Sequence, residues 1–292
     1  MLILSEPKSK IIAIACILLC LTFIVTSCKE NSNDVPPPEN EAIDFLQGES
    51  LVSTAYITDL MDAIDIHDVN IYDIHFEKNK KYRAFLFNDV LKHIYGKSDL
   101  ADSWSGIAFT AVDGYKAVIP TSYFSLSDAY LVFQDMDFPE WQAIPNHGDD
   151  TVAPFYLIWT KEDEIPQNGF KWPWSIYSIG LMHVEAEYAI ATPDEENVEE
   201  SVMDGYHLYM KRCSSCHAIS GEGGNLGPDL NKPQNILSYR SEEMVRSFIR
   251  ESSSFRIGKM PDFKDLNGEQ LDNLMDYLYY LLDEKSGSSQ SG

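Results

Sequence analysis

Apolar positions change their spacing along the 292-residue chain. From Ile11 to Val25 they form one nearly continuous run of 15 residues behind Lys8 and Lys10. Between residues 50 and 190 the dominant period is two: Val69 to Phe76 alternates, as do Ile107 to Val112 and Tyr115 to Ile119. Tyr130 to Phe133, Phe155 to Trp159 and Ile176 to Leu181 are short apolar runs of strand length. Asp113-Gly114 joins one alternating pair and predicts a two-residue hairpin turn. Asn88 to Tyr95 predicts a short helix capped by Asn88. Beyond residue 198 the period becomes helical, in Val202 to Met210, in Met244 with Val245/Phe248/Ile249, and in Leu271/Leu274/Leu278 with Met275. The expected fold class is α+β: a mixed, β-rich domain at 45–192 followed by an all-α domain at 198–285.

Between these blocks the composition turns polar. Residues 28–44 are Pro-rich and acidic and predict an extended linker. Thr192 to Glu200 is acidic with Pro193 and marks the expected boundary, and 286–292 is a Gly/Ser tail expected to be disordered. The run at 11–25 is shorter than the roughly 20 residues of a spanning helix and suits the apolar part of a secretory signal. It ends in Val25-Thr26-Ser27-Cys28, which resembles a bacterial lipobox. That resemblance implies that residues 1–27 are a signal peptide and that Cys28 becomes the acylated N-terminus of an extracytoplasmic lipoprotein. An uncleaved anchor is the alternative, and it places the same domains outside the cytoplasm.

Net charge is −24, from 22 Lys and Arg against 46 Asp and Glu. Residues 198–292 hold 10 basic and 15 acidic residues, so most of the negative charge lies before them. Such a surface repels nucleic acid and anionic lipid and can steer a basic partner.

The chemistry concentrates in Cys213-Ser214-Ser215-Cys216-His217. A C-x-x-C-H run reads as a covalent attachment site for one c-type haem, with two thiols to add across the porphyrin vinyl groups and the next imidazole as an iron ligand. A redox dithiol or half a zinc site is the alternative. The motif follows an apolar-periodic helix rather than a strand, and no second C-x-x-C completes a zinc site. For a sixth ligand Met260 stands in Gly258-Lys259-Met260-Pro261, 43 positions beyond His217, where Pro261 disfavours helix at Met260. Met203, Met210, Met244 and Met275 lie in helical patterns and are expected in the core.

With these residues in place, the segment from about Val198 to Glu284 resembles a class I cytochrome c. The residues that carry the likeness are the helix before the motif, Cys213 to His217, the Gly221 to Leu230 loop with Gly227-Pro228, Lys259-Met260-Pro261, and a last helix with Tyr277-Leu278. The resemblance implies that the first and last helices cross at Gly205, Tyr206 and Tyr277, and that the Pro228 carbonyl orients His217.

The order of elements in the middle of the chain resembles a diverged molybdopterin-binding domain of the sulfite oxidase type. The likeness rests on Tyr82 to Leu86, the Asp113-Gly114-Tyr115 turn, Pro154 to Trp159 and Trp172-Pro173-Trp174. That family holds molybdenum through a cysteine, and residues 29–212 contain none, so no molybdenum is expected. His67, His75, His93, His147 and His183 show no ligand spacing.

The function these features predict is a membrane-tethered carrier of single electrons that exchanges them with redox partner proteins. One alternative is the haem subunit or fusion of an oxidoreductase whose substrate binds the middle domain. A haem-based sensor is the other.

Overall fold

The computed structural model describes residues 41–160, 170–255 and 258–288, with side chains placed up to residue 282. Residues 1–27, expected to be a signal peptide, Cys28, most of the expected linker and the end of the tail lie outside the described residues. Among the described residues no helix is long and apolar enough to cross a membrane.

The first part of the chain builds two sheets. Strands β1 (Ala42–Gln47) and β2 (Ser50–Tyr56) are followed by α1 (Ile57–Ala63), β3 (Ile66–Asp73), β4 (Lys78–Leu86) and α2 (Phe87–Tyr95). Then come β5 (Gly106–Ala111), β6 (Lys116–Pro120), α3 (Tyr123–Leu126), β7 (Ala129–Asp135), β8 (Tyr156–Trp159) and β9 (Ile176–Met182). The five-stranded sheet has the order β2-β1-β9-β5-β6 and the four-stranded one β3-β4-β7-β8. Among the described strands only the β1–β9 pair is parallel.

Inward-facing residues of both sheets meet in one apolar core, with Phe45, Phe85, Phe109, Phe133 and Trp159 fully buried. Alternation is the cause, since every second residue of β3 and of β4 up to Ala84 points into this core. Polar side chains are buried with it, Asp73, Lys80 and Asp135 among them. Asp73 accepts from the Tyr82 hydroxyl at 2.7 Å and from the backbone N–H of His75 at 2.8 Å. Lys80 is ion-paired with Asp135, and both side chains are almost wholly enclosed.

Two local expectations are corrected. Asn88 does not cap α2; Leu86 holds that position, and the Asn88 amide donates to the Phe124 carbonyl at 3.3 Å. The hairpin loop has three residues, not two: Ala111 N–H bonds to Tyr115 O at 2.8 Å, leaving Val112 to Gly114 between them. Only Gly114 has positive φ, +93°, the pattern of a three-residue loop.

The second part is helical. Strand β9 leads through α4 (Val184–Glu187) to α5 (Glu200–Arg212), a two-stranded ribbon of β10 (Ala218–Ile219) and β11 (Glu222–Gly223), α6 (Glu242–Arg250), α7 (Ser252–Phe255) and α8 (Gly268–Ser288). Its core gathers Tyr209, Leu274, Met275, Tyr277 and Leu278, and it takes in Tyr188 and Ala191 from the connection. Helices α5 and α8 cross at Gly205, where an added Cβ would stand 2.0 Å from the Asn273 carbonyl oxygen and 2.8 Å from Tyr277 Cβ. No side chain fits there, so the contact requires glycine.

Candidate functional site

The Cys213 to His217 segment turns back on itself at the end of α5. Cys213 N–H continues the helix by bonding Tyr209 O at 2.8 Å, and His217 N–H then bonds Cys213 O at 2.9 Å. The Tyr209 hydroxyl donates to the His217 carbonyl at 2.7 Å, tying the motif to the helix core.

The following loop forms a bed for the imidazole. Asp229 accepts four backbone N–H bonds, from Ser220, Gly221, Asn231 and Lys232, at 2.7–3.0 Å. This fixes Pro228 beside the motif, with its carbonyl 2.7 Å from His217 Nδ1. At Gly227 an added Cβ would lie 2.4 Å from His217 Cε1, so the ring packs directly over backbone.

His217, Pro228 and Cys213 face a cavity of about 410 Å³ in the helical region. Its far walls come from α6 and the loop after α7, with Val245, Phe248, Ile249 and Met260 among them. Ser241 caps α6 by accepting from Met244 N–H at 3.3 Å, and Glu242 and Glu243 occupy its first turn, where carboxylates suit the helix dipole. The helix then repeats apolar residues at helical spacing yet buries none of them fully, because that face borders the cavity. An apolar, concave site with one imidazole and two thioethers in its lining fits a porphyrin.

Met275 is 1% exposed and belongs to the core. Met244 does not: it is 46% exposed and lines the cavity. The expectation of a core residue fails there because helical period marks an apolar face without saying what that face meets. The Met244 sulfur is 3.9 Å from Arg240 Nη1. Met203 and Met210 do not line the cavity.

Burial sets the state of both thiols. It pushes Cys213 up to about 12 and Cys216 up to about 11, so each is protonated at neutral pH.

Residues 200–278 match the family model described as cytochrome c oxidase, cbb3-type, subunit III. They form a c-type cytochrome domain. A nitric oxide reductase subunit of Halomonas halodenitrificans is 32% identical over 93 residues, which cover 29% of this chain and 61% of that protein. The chain thus spans less than two thirds of that relative's length. A c-type cytochrome domain implies covalently bound haem c and haem-based electron transfer.

The β-rich region reaches this domain through its β5–β6 hairpin, which the sequence did not point to as part of the site. Lys116 N–H donates to Ser215 O at 2.9 Å and Asn225 N–H to Gly114 O at 2.9 Å. Lys171 Nζ donates to Ser215 Oγ at 2.7 Å. Cys216 faces a second, smaller chamber of about 190 Å³, walled on the β side by Tyr115, His147 and Trp174. His75 and His147, far apart in sequence, both pack edge-on to Trp174, with ring centroids at 4.6 and 5.4 Å. Among the described residues no group of three or more His, Cys, Asp or Glu could hold a metal ion.

Proposed function

We propose that the chain is an extracytoplasmic c-type cytochrome, tethered to a bacterial membrane through lipid on Cys28, that carries single electrons on one haem c. Cys213 and Cys216 would hold the porphyrin, and His217 and Met260 would ligate its iron. The observation that carries this reading is the His217 ring, hydrogen-bonded to Pro228 at 2.7 Å and facing an apolar cavity that Met260 also lines.

Bound haem c supplies a one-electron iron couple at a potential that a thioether ligand raises. The protein's own residues do the rest. The Pro228 carbonyl accepts a hydrogen bond from Nδ1–H, which leaves Nε2 as the basic nitrogen and strengthens it as a donor. Each thiol would add across one porphyrin vinyl group, sulfur to one carbon and hydrogen to the other, to give a thioether. Val245, Phe248 and Ile249 exclude water from the cavity. Two iron ligands supplied by the chain would leave no open position for a substrate on the metal, which favours a carrier over a catalyst. The tether rests on the short apolar run and Cys28 alone.

A second reading, the haem subunit or fusion of an oxidoreductase, is favoured by the chamber beside Cys216 and by the name of the relative, which is itself part of a reductase. In either case the molecule exchanges electrons with redox partners.

Comparing Met260→Ala with Met244→Ala tests the ligand set. Met260→Ala should keep covalent haem, lose the weak sulfur-to-iron band at the red end of the oxidised spectrum, and open the iron to carbon monoxide. Met244→Ala should keep the band. The opposite pair of results transfers the role to Met244.

A further inference from the structure

We infer that Asp113 and Asp150 of the β-rich region act through Lys259 as positioning residues for Met260. The inference rests on Met260 being an iron ligand, as proposed above.

The Met260 loop is gripped from two sides. From its own region Ser252 Oγ donates to Met260 O at 2.7 Å, and Asp262 accepts from Ser253 N–H at 2.9 Å and Ser253 Oγ at 2.8 Å. From the other region Lys259 Nζ sits 3.2 Å from Asp113 Oδ2 and 3.0 Å from Asp150 Oδ2. Asp113 belongs to the same hairpin loop whose backbone bonds Ser215 and Asn225 beside the haem-attachment motif. One rigid hairpin therefore holds both the attachment turn and the methionine loop, the first by backbone bonds and the second by charge. Among the described residues Lys259, like Arg246, pairs with two carboxylates.

The magnitude indicates what such a latch can do. The three side chains are 25–46% exposed, and ion pairs in that setting each shift an equilibrium by up to about fivefold. That is too little to decide the fold and enough to change how often the thioether leaves the iron. An added ligand binds only when the thioether is off, so its apparent affinity follows that fraction.

The test is titration of the oxidised full-length holoprotein with imidazole, a neutral ligand whose binding responds little to a simple change in local charge. Asparagine is the suitable replacement because its Oδ1 can keep the bond that Asp113 accepts from Tyr115 N–H at 3.0 Å. Asp113→Asn/Asp150→Asn and Lys259→Gln should each raise imidazole affinity about tenfold, and Lys259→Arg should stay near wild type. Raising the salt concentration should raise affinity in the wild type and not in the double variant. If Met260→Ala raises affinity while the double variant stays within twofold of wild type, the latch is refuted and the ligand stands. A rise in Lys259→Gln without one in the double variant also refutes it. If Met260→Ala changes nothing, the ligand assignment itself fails.

Discussion

The β-rich and helical regions use their apolar residues differently. In the first, Phe45, Phe85, Phe109 and Trp159 all belong to one buried core shared by the two sheets. In the second, the core under α5 and α8 is closed in the same way, but α6 turns its apolar face to a cavity shared with His217. The contrast teaches that the β-rich region is stabilised by its own packing, whereas the helical region shares part of its apolar contact with the group it holds. Charge is divided likewise: Lys80–Asp135 is enclosed in the β-rich region, while the bidentate Arg212–Asp265 pair of the helical region lies near solvent.

All five tryptophans lie between Trp104 and Trp174, so their fluorescence reports the β-rich region, and far-ultraviolet helicity reports mainly the other. The largest expected effect is from Cys213→Ala/Cys216→Ala, which removes covalent attachment. The helical signal should lose at least about 4 kcal/mol of stability, the contribution of a ligand at a thousandfold its Kd. The tryptophan transition should move much less. Coincident shifts in both signals would break the comparison, showing that the regions unfold as one.

Asp135→Asn should act the other way round. It leaves the enclosed Lys80 ammonium without a carboxylate partner, beside the Gln142 oxygen at 3.1 Å and the Phe76, Tyr82 and Phe138 rings, and should cost about 3 kcal/mol in the tryptophan transition. Haem binding should be unchanged, which the absorption spectrum checks.

The smallest effect is a pH dependence confined to the β-rich region. Burial is the main cause that pushes His75 below its ordinary value; the facing Asp73 opposes it and His147 reinforces it. The unfolded chain therefore binds the proton more readily. Stability of this region should fall as pH drops below about 6.5 and level off once the folded imidazole is also protonated. His75→Gln should flatten the tryptophan-detected slope and leave the helical signal alone.

Sequence alone determined what local spacing can encode. The C-x-x-C-H run needs only five consecutive residues; period-two alternation located β3, β5 and β6, because such a strand shows one face to the core, and short apolar runs located β7, β8 and β9. The same logic found the helical stretches around Val202, Val245 and Leu271. It could not tell that Met275 enters a core while Met244 borders a cavity, since both repeat with apolar neighbours and differ only in what lies opposite. Nor could it show that Asp113 would meet Lys259, 146 positions away, or that His75 and His147 would share Trp174. Those pairings follow from how the hairpin docks on the haem-binding turn. Docking is set by backbone groups such as Gly114 O and Ser215 O, which every residue possesses and no residue type announces.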